Sequence, residues 1–331
     1  MTRRWARPAG LVARFALTAG LLVGPTAPVR AGTVGAAMGF CETPTPLNAT
    51  QKDRLLRFSA LLKDTLERSG RRVALIARSG TDLSLFDLTY SHAGVALQAS
   101  GNGPWSVRQL YFACEERRPR LFDQGLAGFV FGTDNPRSGF VSILLLPDDA
   151  GAALERAALD NRRALALLAG TYSANAYAYA LDYQNCNQWV AELLADAWSS
   201  GLSPTDWQPD AAPPDADGPG PEAPRRPAAQ HWLRERGYEP QGFDMGASPL
   251  TYLATLLPFV HRDDHPESAL RAGRFDVSMP QSLEAFVRRT VPGAERIEFC
   301  HQGEHAVLRR GWRPIGRRCV AAEGDEVIAL D

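Results

Sequence analysis

Lysine is nearly missing from this sequence: among its 331 residues, Lys52 and Lys63 are the only two. The 36 basic residues are otherwise arginine and are balanced by 37 acidic ones. That balance excludes the strongly basic surface of a nucleic-acid binder and any general attraction to an anionic membrane. Long apolar runs are scarce as well. The one near the start, L-V-A-R-F-A-L-T-A-G-L-L-V-G, is short and broken by Arg14, too little for a transmembrane helix. No other segment is apolar enough to span a bilayer. There is no internal repeat and no phosphate-binding glycine loop. S-G-N-G-P at 100–104 punctuates a hairpin, because no helix follows it.

The start of the chain does carry a pattern. M-T-R-R-W-A-R is basic, the short apolar run follows, and Val29 and Ala31 supply the small residues of a cleavage site. Residues 1–31 are therefore expected to be a cleavable signal peptide, with an uncleaved anchor as the alternative. M-G-F-C around Cys41 lacks the small residue a lipoprotein signal needs. The expected location is periplasmic or secreted.

Export gives meaning to the five cysteines, Cys41, Cys114, Cys186, Cys300 and Cys319. In an oxidising compartment cysteines pair, and an odd count leaves one over. Cys300 and Cys319 flank a hairpin-like segment and are expected to bridge. Cys41 and Cys114 form the second candidate pair, which leaves Cys186 as a free thiol.

The rest reads as an α+β fold with an antiparallel sheet in its first half. Thr50 and Asp53 resemble a capping box ahead of a helix whose apolar face is Leu55, Leu56, Phe58, Leu62 and Leu66. Strands are predicted at 72–78, 88–97, 105–113 and 140–147, and helices at 150–169 and 186–198. Residues 41–207 form the expected core. The Pro-rich stretch 208–228 reads as a loop or linker. An α/β C-terminal extension, 229–331, is expected to pack on the core, with helices near 246–258 and 281–289 and strands at 296–300, 305–312 and 325–330.

Chemistry concentrates in Y-Q-N-C-N-Q-W-V, 183–190. Cys186, Trp189, Val190, Leu193, Leu194 and Ala197 make one helical stripe, with Cys186 in its first turn and Asn185 as N-cap. Free N–H groups and the dipole at a helix start favour a thiolate and can serve as an oxyanion hole. Cysteine is also a common core filler. A nucleophile needs a base, and His92 in S-H-A-G-V is the candidate, with Ala93 and Gly94 leaving space beside it for a ligand. A third group would orient the imidazole from the next strand. Gln109 is the first choice, with Arg108 as an alternative. Tyr179 or Tyr183 could line the site.

Histidine on a strand followed by cysteine at a helix start reverses the usual papain order. S-H-A-G-V (91–95) and N-C-N-Q-W-V (185–190) resemble the motifs of circularly permuted, NlpC-type papain-like thiol enzymes, over about residues 72–198. The family pattern often has Glu where this chain has Asn187. The resemblance implies a papain-like antiparallel sheet with a nucleophile-bearing helix. It also implies acyl transfer through a thioester, with Cys186 as nucleophile, His92 as base and Gln109 as orienting residue; by their place beside these, Asn185, Tyr183 and Gly94 are expected near the substrate. No cofactor is required. The partner would be a peptide or acyl substrate, with peripheral association at the cell envelope. Over most of its length the chain also resembles the bacterial domain-of-unknown-function family 2145, which implies that D-H-P (264–266) belongs with the core.

Two patterns compete. H-Q-G-E-H (301–305) matches an inverted zincin motif, but Gly303 and the apolar run after it predict a hairpin rather than a helix. H-R-D-D-H-P (261–266) has two histidines four apart, yet Pro266 ends it and a solvated loop is expected. No metal site is expected. The alternatives to a thiol hydrolase or acyltransferase are a non-catalytic envelope protein of the same fold and a zinc hydrolase.

Overall fold

The computed structural model describes residues 47–199, 225–246, 257 and 259–331. The expected leader, Cys41, residues 208–224 and most of the helix expected at 246–258 lie outside the described residues. The first helix, α1 (Ala49–Arg68), buries Leu55, Phe58, Leu62 and Leu66 at steps of three and four. Leu56 faces solvent. Its capping box is built by Asn48 and Gln51, not by Thr50 and Asp53. Then come β1 (Val73–Arg78), a 3-10 turn, β2 (His92–Leu97), β3 (Ser106–Ala113), β4 (Arg118–Gln124), α2 (Leu126–Phe131) and β5 (Ser138–Leu145). The helix expected at 150–169 is two, α3 (Asp148–Leu159) and α4 (Asn161–Ala166). Asp160 breaks the run and caps α4 by accepting from the N–H groups of Arg162 and Arg163.

The remaining elements are α5 (Cys186–Ser199), α6 (Arg225–Glu235), β6 (Gln241–Asp244), α7 (Glu267–Arg271), β7 (Arg274–Val277), α8 (Pro280–Thr290), β8 (Glu295–Gln302), β9 (His305–Arg310) and β10 (Glu326–Ala329). Residues 225–228, expected in the Pro-rich loop, begin α6 instead, and Arg226 there is buried.

Eight strands form one sheet in the order β10-β9-β8-β5-β1-β2-β3-β4, with every neighbouring pair antiparallel. The C-terminal part is thus not an addition packed on a finished core: β8 pairs with β5 along its whole length. Helices cover both faces. Val73, Leu75, Ala93 and Val95 pack with α3, α5, α6 and α8. Ala74, Ile76, Ala96 and Val107 pack with α1 and α2. Strands buried on both faces need apolar residues at successive positions, and so β1 and β5 read as continuous apolar runs. β4 escaped prediction because R-P-R-L-F-D-Q is polar and contains Pro119, which suits an edge strand.

H-Q-G-E-H is the β8–β9 hairpin. Gly303 turns it at φ +63°, His301 is buried and His305 is exposed. Among the described residues no helix is long and apolar enough to cross a membrane.

Candidate active site

His92 opens β2 opposite Arg78 of β1. Strand alternation and the β2–β3 register place Gln109 and Tyr111 on the same face. The His92 Nε2 lies 2.7 Å from Gln109 Oε1. Gln109 is wholly buried and its amide nitrogen donates to Gln124 Oε1 at 2.9 Å. The second bond orients the first. With the Gln109 nitrogen committed to Gln124, its oxygen must accept, so His92 carries its proton on Nε2 and Nδ1 is the free base. The ring lies 4.9 Å from that of Tyr111 and 6.0 Å from that of Phe129. Arg108, the alternative orienting residue, is committed elsewhere, to both oxygens of Asp123 and to Asn161.

Gly94 does not open a channel. A Cβ there would come within 2.6 Å of Val107 Cγ1 and 2.9 Å of the Arg108 carbonyl. Its role is the close approach of β2 to β3.

Cys186 begins α5 and is the free cysteine among the described residues. The bridge Cys300–Cys319 is formed across 19 residues, and Cys114 is disulfide-bonded. Cys41, expected as its partner, lies outside the described residues. Asn185 caps the helix, accepting from Gln188 N at 2.7 Å, while its own amide donates to the Ser278 carbonyl at 3.2 Å. Asn185 is turned inward as a cap and brace. Tyr183 stacks on His261 at 4.2 Å and bonds Asp263. Tyr179 bonds the Tyr238 carbonyl.

The tyrosine beside the thiol is Tyr172, in the irregular loop ahead of α5. Its hydroxyl and the N–H groups of Asn187 and Cys186 all favour the thiolate, as does the charge of Arg78. Burial outweighs them and pushes the thiol up to about 11. The expected thiolate is therefore a neutral thiol at neutral pH. Burial, with help from Arg78 and against the Gln109 bond, lowers His92 to about 3, so the imidazole is neutral too.

Asn187 ties the two halves together by donating to the Ser91 carbonyl at 3.2 Å, next to His92. His92 points to the α1/α2 face of the sheet, whereas Cys186 packs within the α5 side. The sequence-predicted residues are thus brought together in part: His92 bonds Gln109, and no hydrogen bond joins His92 to Cys186.

The polar side of α5 is buried as well as its apolar stripe. Glu192 is fully buried and bonds Arg226 of α6 at 2.8 Å, together with Gln230 and Gln184. Arg226 also donates to the carbonyls of Leu181 and Tyr183. H-R-D-D-H-P braces the same loop: Asp264 accepts from Tyr177 N at 2.7 Å and from His265 at 2.8 Å, and Asn175 donates to the His261 carbonyl. The Asp264 and His265 side chains are fully enclosed rather than solvated. Among the described residues no group of three or more His, Cys, Asp or Glu could hold a metal.

The family model for uncharacterized proteins conserved in bacteria, DUF2145, matches residues 65–287. That span includes His92, Gln109 and Cys186. No curated protein and no solved structure matches the chain. The matched span is well over half of the 331 residues, and the chain belongs to the DUF2145 family.

Proposed function

We propose that this protein is a thiol hydrolase or acyltransferase, of permuted papain-like architecture, that acts on an amide or ester. The observation carrying this reading is the buried pair His92–Gln109, held by Gln124, which leaves Nδ1 as a free base on the strand that follows Ser91, whose carbonyl accepts from Asn187, the residue after the free Cys186. Cys186 attacks the carbonyl carbon. As the carbon–sulfur bond forms, the thiol proton passes to His92 Nδ1. A preformed ion pair is not needed, because both groups rest neutral. The N–H groups of the first turn of α5 and the Tyr172 hydroxyl stabilise the oxyanion. The proton then goes to the leaving group, and water or another acceptor cleaves the thioester. Substrate binding brings the thiol to the imidazole, since catalytic contacts tighten in the reacting complex. The Cys300–Cys319 bridge supports an oxidising, exported location, where cell-wall peptides or acylated envelope molecules are the expected substrates.

The test is p-nitrophenyl acetate. A stoichiometric burst of nitrophenolate that is lost in Cys186→Ser and in His92→Ala supports the reading. A second reading, a non-catalytic module of the same fold, is favoured by the absence of a His92–Cys186 bond. It predicts no burst, and alkylation of Cys186 by iodoacetamide that is indifferent to His92→Ala.

A further inference from the structure

The buried cation beside this site has no anion paired with it among the described residues. Arg78 is only 5% exposed. Among the described residues it forms no ion pair. Asp134 feels its charge without pairing with it. The guanidinium donates to Tyr111 Oη at 2.9 Å and to the Ser79 carbonyl at 3.3 Å, and its Nε has no partner. It lies over the Phe129 ring at 5.4 Å. Glycine makes the slot: a Cβ at Gly80 would meet Nη1 at 2.5 Å, and one at Gly132 would overlap Nη2. Arg78 stands opposite His92, bonds the tyrosine whose ring lies 4.9 Å from the imidazole, and acts on both His92 and Cys186. A buried charge is costly without a partner, and a guanidinium is the side chain best suited to a carboxylate.

We propose that Arg78 is the binding residue for a carboxylate carried by the acyl substrate close to the bond attacked by Cys186. This rests on the thiol-enzyme reading for its place in a reaction, but not for its test. A substrate carboxylate supplies the missing counter-charge and fixes the carbonyl relative to the thiol. Neutral acyl compounds are then the poorer substrates.

Iodoacetate and iodoacetamide separate the possibilities. Either reagent forms a carbon–sulfur bond at Cys186, with loss of iodide and of the thiol proton. Rates are normalised to those of glutathione. An anion site favours iodoacetate in the folded protein by about tenfold, the worth of one charge-assisted hydrogen bond. The preference should vanish in Arg78→Gln, persist in Arg78→Lys and shrink as sodium chloride is added. Equal normalised rates in the wild type overturn the proposal, as does a preference that survives Arg78→Gln. The independent arm is thermal melting with sodium acetate against sodium chloride at equal ionic strength. A rise in the wild type that is absent in Arg78→Gln supports the site, and no rise overturns it. Should Arg78→Gln fail to fold, the wild type and Arg78→Lys carry both arms. If Cys186 reacts with neither reagent, the thiol-enzyme reading fails and the acetate arm alone decides the anion site.

Discussion

At the scale of single residues, pH is the most direct probe. His92 titrates near about 3 and His301 near about 4, against 6.5 for an unperturbed imidazole. Both are neutral in the fold and take up a proton when unfolded. The unfolded state therefore binds more protons below pH 6.5, and stability falls as pH falls from about 6.5 to about 3. Melting temperatures measured across that window should drop, and His301→Gln should flatten part of the slope. Cys186 gives the opposite limb. Its iodoacetamide labelling should keep rising towards pH about 11 rather than levelling at the ordinary thiol value. For catalysis, His92→Ala should lower the acylation rate by about 10²–10⁴, the usual contribution of a general base. Gln109→Leu should lower it less and make the rate more sensitive to acid. The His92–Gln109 bond was legible because strand alternation is a local signal, and the free thiol at the start of α5 was legible from the cysteine count and the apolar stripe. Tyr172 and Arg78 were not. Tyr172 sits in an irregular loop without periodicity, and the importance of Arg78 appears only when β1 is laid against β2.

At the scale of elements, the informative case is α5. Its apolar stripe was readable, but Glu192, Gln188 and Asp196 lie off that stripe and are buried all the same. Glu192 is buried against Arg226 and Gln230 of α6, Asp196 is bonded by Arg163 and by Arg225 of α6, and Gln188 donates to the carbonyls of Tyr177, Ala178 and Ala180. A sequence window cannot foresee a partner more than thirty residues away, across a Pro-rich stretch. Removing one member of such a pair leaves a buried charge. Arg226→Met should therefore destabilise the fold by about 3–5 kcal/mol, as measured by urea unfolding. Adding Glu192→Leu to Arg226→Met should recover much of that loss, because the orphaned carboxylate goes with it. The same network fixes the loop ahead of Cys186, so the single variant should also slow thiol acylation. The two helices α3 and α4 show the reverse limit. Periodicity ran through Asp160, and only its cap geometry reveals the break.

At the scale of the whole molecule, the sheet joins what composition seemed to divide. Strands from before the Pro-rich stretch and strands from the last forty residues share one sheet. Composition marks a linker by what it lacks, but pairing between distant strands leaves no local trace. The Cys300–Cys319 bridge closes a segment of 19 residues in this late part. Its removal in Cys319→Ala should cost about 3 kcal/mol by the chain-entropy estimate, visible as a lower melting temperature. The join also bears on where the protein may be cut. The family match ends at residue 287, inside α8 and before β8. A chain trimmed there would lose the partner of β5, whose residues are almost all buried. It would present a long apolar strand edge to solvent, the template on which other chains add. Expressed alone, residues 65–287 should aggregate, while the chain through Asp331 should not. Sequence relatedness and the unit of folding end at different places in this protein, and the distance between them is three strands.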